Sequence, residues 1–128
     1  MSYTIEKMAD QPAVLVHLNA DFDSQADLWP AVEQSTELII EQNAPTFSVW
    51  DTRQIITTVD GIVQGANVGR SFDIPANQRG IIVISTEPAI KMAMEGMNTR
   101  AFGHMEISVF EDLDEALAYI HQQLDNPN

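Results

Sequence analysis

The sequence has no cysteine and only six basic residues against nineteen acidic ones. Without cysteine there is no disulfide, no thiolate metal ligand and no cysteine nucleophile, so we expect a reducing compartment and a cytoplasmic location. The formal net charge of −13 disfavours binding to nucleic acid or anionic lipid, since both are polyanionic. No apolar run approaches the ~18 residues of a membrane span, and no basic segment precedes an apolar one at the N-terminus. We therefore expect no integral membrane association.

What the chain does contain is ordinary globular composition. Hydrophobic residues make up 45% and charged residues 20% of its 128 positions, which argues against disorder. Repeats, low-complexity tracts and linkers are not apparent. We predict one domain spanning residues 1–128.

The clearest structural signal lies at residues 106–124. Ile107 and Val109 alternate with polar residues, as in a strand with one buried face. Asp112 and Glu115 then form a capping-box pattern, which marks the start of a helix. The apolar positions that follow recur at helical spacing: Leu113, Ala116, Leu117, Ile120 and Leu124.

Strand and helix patterns alternate along the rest of the chain. Strands are predicted over residues 3–8, 13–18, 47–51 and 80–85, and helices over 27–42, over 58–69 and from Pro88 onward. Ser24 and Asp27 are both possible caps of the first helix. Pro30 is expected in the first turn after Asp27, because proline is tolerated there. This order predicts an α/β fold, β-β-α-β-α-β-α-β-α. Its sheet is mixed and mostly parallel, with five strands and about four helices.

Signatures of catalysis are sparse. The sequence has no G-x-S-x-G elbow and no glycine-rich phosphate loop after a strand. His17 lies in a predicted strand and His121 on the last predicted helix, and both are interpreted as structural or solvent-facing. No histidine pairs with another ligand at metal-binding spacing. We predict no enzymatic activity, no cofactor and no metal site.

Two regions are candidates for binding. Asp51 ends the third predicted strand, where open α/β sheets place ligand contacts, and Thr57 and Thr58 follow it. Gly61 is followed by two further glycines at four-residue spacing. They indicate close packing against a neighbouring element, a frayed helix, or the close approach of a partner. The second region is rich in methionine, which suits both a core and an apolar ligand pocket. Its residues are Met92, Met94, Met97, Arg100, Phe102 and His104.

The element order and the segment from Val109 to Ile120 resemble the STAS-like family of anti-anti-sigma factors, in its SpoIIAA-like and CRAL-TRIO-like branch. That family carries Asp-Ser-Ser-Gly or Asp-Ser-Thr-Gly after its third strand, with the hydroxyl before the glycine phosphorylated by a partner kinase. If Gly61 takes the place of that glycine, Asp60 replaces the phosphorylated hydroxyl. Asp60 then partly imitates the phosphate, or Thr57 or Thr58 is the modified residue after a shift of register.

The resemblance implies a non-catalytic regulatory module that binds a protein partner, through residues 51–61 and the glycine-bearing helix. The alternative is a carrier or sensor of a small apolar, lipid-like ligand held beside the methionine-rich region. Self-association as a homodimer is a third expectation. It follows from the edge strand at residues 3–8, whose unpaired backbone groups can pair with a second copy.

Overall fold

Five strands and three helices form the part of the chain that the computed structural model describes, residues 2–55, 61, 74–97 and 107–125. Only the backbone is described for residues 94–97 and 125. The strands and helices alternate much as predicted. The strands are β1 (Tyr3–Lys7), β2 (Ala13–Leu18), β3 (Thr46–Asp51), β4 (Gln78–Ile84) and β5 (Ile107–Phe110). The helices are α1 (Ser24–Gln42), α2 (Pro88–Met97) and α3 (Leu113–Asp125).

The strands form one sheet in the order β1-β2-β3-β4-β5. β1 is antiparallel to β2, whereas β2, β3, β4 and β5 run parallel to one another. The α/β class and the mostly parallel sheet are therefore confirmed. Because parallel strands end at the same side, β2 to β5 direct their carboxyl ends to one edge, which we call the carboxyl edge.

The second predicted helix, over residues 58–69, lies outside the described residues except for Gly61, whose backbone is helical. Three helices are thus described where about four were predicted. α2 begins at Pro88, the first-turn position expected for this proline.

The predicted start of α1 was wrong. The helix is capped by Asp23, whose Oδ1 accepts the amide of Gln25 at 3.0 Å, and the Asp27 Oδ2 accepts the amide of Asp23 at 3.0 Å. This bond to the Asp23 amide, with one from Ser2, lowers the pKa of Asp27. Pro30 therefore lies in the second turn of α1, where its missing N–H removes a helical hydrogen bond.

The two faces of the sheet are covered by different helices. α3 packs on one face, where Ala116 and Ile120 are fully buried against strand residues that include Phe47, Ile82 and Ile84. α1 covers the opposite face through Ala31, and α2 lies on that face through Ile90. Burial on both faces accounts for the nearly continuous apolar sequence of the central strands.

The predicted capping box at the start of α3 consists of two reciprocal hydrogen bonds between Asp112 and Glu115, and one of them is confirmed. The Asp112 Oδ1 accepts the amide of Glu115 at 2.8 Å, which fixes the first turn of the helix. This turn follows β5 directly, so the N-terminal end of α3 lies at the carboxyl edge.

Candidate functional site

A buried carboxylate, Asp51, is the centre of the carboxyl edge. It is the last residue of β3 and its side chain is only 8% exposed. Arg53 approaches it side-on, with Nε 3.0 Å from Oδ1 and Nη2 2.9 Å from Oδ2. The Arg53 amide also donates to Oδ1, at 3.1 Å. The carboxylate and the two residues that follow it thus form one hydrogen-bonded unit.

His17 completes the group from the neighbouring strand. The register of β2 on β3 pairs His17 with Asp51, and the His17 Nδ1 lies 3.2 Å from the Asp51 Oδ2. An ionised carboxylate can only accept, so Nδ1 carries the proton in this contact. Each Asp51 oxygen therefore accepts two hydrogen bonds. Asp51 is an anchor whose acceptor sites are occupied, and we name Asp51, Arg53 and His17 the Asp51 anchor.

The electrostatics of the anchor favour its ionised state. Burial raises the pKa of Asp51, but the hydrogen bonds and charge of Arg53, with a smaller contribution from His17, lower that pKa below its usual value overall. The hydrogen bonds that the Arg53 guanidinium donates to Asp51 in turn raise the pKa of Arg53, and the charge of Asp112 adds to this effect. Arg53 therefore also lies within the field of Asp112, the capping residue of α3.

The chain leaving β3 is held to β4 as well. Thr52 donates to the Ile84 carbonyl oxygen twice, from its amide at 3.0 Å and from its hydroxyl at 2.8 Å. The Ile55 amide closes a turn on the Thr52 carbonyl oxygen at 3.2 Å. Residues 52–55 thus start from a fixed position over the ends of two parallel strands.

An open cleft of about 340 Å³ lies at the carboxyl ends of β4 and β5. One wall comes from the start of α2 and the other from the start of α3. The described residues that line it are Ser85, Thr86, Glu87, Pro88, Lys91, Val109, Phe110, Glu111 and Glu115. The cleft is mixed in polarity, unlike the enclosed apolar pockets that hold lipid-like ligands.

The predicted site residues have different outcomes. Asp51 lies at the carboxyl edge, as expected for the end of a parallel strand. Thr57, Thr58 and Asp60 lie outside the described residues, and Gly61 has helical backbone. These positions remain predictions.

The methionine-rich region is described only in part. Met92 is 74% exposed on α2, so it does not line an enclosed pocket. The side chains of Met94 and Met97 are not described, and Arg100, Phe102 and His104 lie outside the described residues. An apolar pocket there stays a prediction.

Sequence reasoning missed two members of the Asp51 anchor. His17 was interpreted as structural or solvent-facing, and Arg53 was not selected as a site residue. Arg53 could have been found locally, because an arginine two residues after a strand-end aspartate can reach back to it. The His17 contact depends on the register between β2 and β3, for which the sequence has no signal.

Comparisons with known proteins identify the fold. An uncharacterised protein of the DUF3478 family from Shewanella loihica PV-4, with a SpoIIAA-like fold, matches with a TM-score of 0.58 and 15% identity over 92% of this chain and 91% of that one. An anti-sigma factor antagonist from Mycobacterium paratuberculosis matches with a TM-score of 0.56 and 18% identity over 93% and 92%. The protein therefore has a STAS-like, SpoIIAA-like fold.

No protein-family profile matches the sequence, and no curated protein does. Among the described residues, no helix is long and apolar enough to cross a membrane. Within the same ranges, no three His, Asp or Glu side chains are grouped so as to hold a metal ion.

Proposed function

We propose that this protein is a non-catalytic regulatory module that binds a protein partner through the carboxyl edge of its sheet. The Asp51 anchor is the observation that carries the proposal. It fixes the chain at the point where, in the STAS resemblance, β3 passes into the regulatory segment. The anti-sigma factor antagonist with the same fold supports a protein as the ligand class.

The anchor suits recognition better than chemistry. The Asp51 carboxylate accepts four hydrogen bonds from described residues of this chain. Asp51 therefore has little capacity left to act as a base or nucleophile. The anchor instead holds the start of the following loop in a fixed position. A loop that is preorganised in this way loses less conformational entropy when it binds a partner. The contact surface would extend from residues 52–55 to Gly61, with Asp60 as a phosphate mimic or Thr57 or Thr58 as the modified residue.

Gln54 offers a direct test, because it is exposed in this turn and its side chain has no role in the anchor. We expect Gln54→Trp to block the surface and to reduce partner capture by about tenfold or more, the loss produced by ~1.4 kcal/mol of binding free energy. The immobilised full chain would be exposed to lysate of its source organism, and retained proteins measured by quantitative mass spectrometry. The retained protein would then be purified and its affinity measured directly.

Gln122→Trp is the matched control, since Gln122 is exposed on α3, far along the helix from the carboxyl edge. It should capture the partner as the wild type does. The proposal fails if the wild type retains no protein above a bait-free resin, or if Gln54→Trp and Gln122→Trp retain the same protein equally. Retention of a second copy of this chain, confirmed by light scattering, would indicate the homodimer instead.

A further inference from the structure

The outer strand β1 has one row of backbone groups that point away from the sheet. At one end of its ladder the Met8 amide donates to the Ala13 carbonyl oxygen at 3.0 Å, and at the other the Asn19 amide donates to the Ser2 carbonyl oxygen at 2.8 Å. Both bonds continue the register of β1 on β2. Since bonded and non-bonded pairs alternate in an antiparallel ladder, the even-numbered residues of β1 bond to β2. The residues that direct their amides and carbonyls outward are Tyr3, Ile5 and Lys7.

β1 lacks two of the usual protections of an exposed sheet edge. It contains no proline, and its register on β2 has no bulge. The Nζ of Lys7 donates to the carbonyl oxygens of Met8 and Gln11, so its ammonium lies over the turn between β1 and β2. The outward backbone groups of β1 are therefore open to another strand.

The charges of β1 favour a second copy of this chain as that strand. The whole chain has a net charge of −13, which makes two copies repel each other over most of their surfaces. β1 instead has one acid, Glu6, and one base, Lys7, so its own charges cancel. At physiological salt, charges more than ~8 Å from the contact are largely screened. Two copies can therefore meet at β1 with little repulsion.

The apolar side chains of β1 are only partly covered. Tyr3 and Ile5 pack against the buried cluster beneath α1, and both remain partly exposed. A strand added beside β1 would cover them further, because side chains on the same face of neighbouring strands pack against one another.

We propose that two copies of this chain pair through β1, antiparallel and across a two-fold axis at Ile5. The two Ile5 residues exchange their backbone hydrogen bonds, and Tyr3 of each copy exchanges bonds with Lys7 of the other. On the opposite face of the sheet, Glu6 of one copy lies beside Thr4 of the other. No like charges are directly opposed in this register.

The neighbouring registers are less favourable. Pairing Ile5 with Lys7 of the second copy sets the two Glu6 side chains opposite each other, which is destabilising. Pairing Ile5 with Tyr3 leaves Lys7 beyond the paired segment. The register centred on Ile5 pairs the whole of β1 without a charge conflict.

Such a dimer keeps both carboxyl edges open. β1 is antiparallel to β2 within each copy, and the two β1 strands are antiparallel to each other. The parallel strands of the two copies therefore point in opposite directions, and their carboxyl edges lie on opposite sides of one continuous sheet. The dimer has two separate binding surfaces, so this inference goes beyond the proposed function and does not depend on it.

Light scattering on the full chain tests the self-association, with an expected mass of twice 14.2 kDa. Lys7→Pro removes an outward amide that β2 does not use, and it should weaken the dimer by about tenfold or more. Lys7→Ala removes the same charge but keeps the amide, and it should weaken the dimer by no more than about threefold. Urea unfolding checks that both variants fold. A wild type that stays monomeric up to about 0.5 mM, or equal weakening by the two variants, would overturn the inference.

The absence of cysteine from the chain permits a separate test of the register. Ile5→Cys places two thiols opposite each other with Cα atoms ~5.5 Å apart, within the range of a disulfide. Lys7→Cys, on the same face of the same strand, places them ~14 Å apart. Mild oxidation should therefore crosslink Ile5→Cys and leave Lys7→Cys uncrosslinked on a denaturing gel without reductant. Equal crosslinking of the two variants, or none in either, would contradict the proposed pairing.

The dimer and the partner-binding surface are tested independently. The register places Lys7 at the end of β1 away from the carboxyl edge, so Lys7→Pro should leave the affinity for the partner unchanged. Gln54→Trp should likewise leave the dimer intact. Retention of this chain alone in the capture experiment would support the dimer and not the partner, so the two proposals fail separately.

Discussion

Replacing Arg53 with alanine is expected to lower the free energy of unfolding by about 2–3 kcal/mol at pH 7. The substitution leaves the Asp51 carboxylate buried with His17 as its remaining side-chain partner, and an uncompensated buried charge costs ~3–5 kcal/mol. We place the expected loss below that range because the Arg53 side chain is 39% exposed, so water screens part of its interaction with Asp51. Urea denaturation of both proteins gives the difference directly.

Asp51→Asn should cost less than Arg53→Ala, because it removes the buried charge together with the pair and leaves a partly hydrated guanidinium. Arg53→Lys should lie between wild type and alanine, since an ammonium keeps the charge but loses the side-on double contact. The matched control is Arg79→Ala. Arg79 donates to the Gln123 carbonyl oxygen at 3.0 Å and lies 6.0 Å from the Phe47 ring centroid, contacts worth about 1 kcal/mol together.

The pH dependence of this effect has a definite sign. Asp51 has a lower pKa in the folded protein than in the unfolded chain, so its contribution is complete above the usual carboxyl pKa of ~4 and declines as the pH falls below that value. The difference between wild type and Asp51→Asn should therefore be constant from pH 5 to 7 and shrink below about pH 4. A difference that instead grows on acidification would contradict the ion pair.

Ile120→Ala is expected to have the largest effect, about 3–4 kcal/mol. Ile120 is fully buried between α3 and the sheet, where its loss leaves a cavity that the rigid strands cannot fill. Since α3 places Asp112 and Glu115 at the carboxyl edge, loosening this helix should also weaken the site. Thermal or urea unfolding measures the first effect, and capture of the protein partner measures the second.

Leu124 supplies the control for this substitution, because it lies on the same helix but is 42% exposed. Leu124→Ala should cost less than about 1 kcal/mol of unfolding free energy and leave partner capture unchanged. Equal losses for the two variants would show that α3 is not packed on the sheet through Ile120.

The sequence predicted those elements whose signals are local. The capped helix α3 and the alternation that gives a mostly parallel sheet depend on periodicity and on short-range side-chain bonds, as between Asp112 and Glu115. The start of α1 was predicted wrongly because three residues near it can each cap a helix. Asp23, Ser24 and Asp27 are all good capping residues. Asp23 is selected because its Oδ1 accepts the Gln25 amide while its own amide donates to the Asp27 carboxylate.

The candidate site could be predicted only in part, because some of its contacts join residues that lie far apart in the sequence. Asp51 was found because the end of a parallel strand has a fixed place in the fold. The contact with His17 crosses thirty-four residues and exists only in the observed register of β2 on β3. Likewise, the cleft brings Ser85 and Glu115 together from separate strand-helix units, which have no common sequence signal.

Amide hydrogen exchange on the complex with the captured partner tests the central claim most directly. If the carboxyl edge is the binding surface, exchange should slow in residues 52–55, 85–87 and 110–112, and the outer strand β1 should exchange as in the free protein. Slower exchange in β1 with an unchanged carboxyl edge would contradict the account, because the partner would then bind by pairing with the sheet edge.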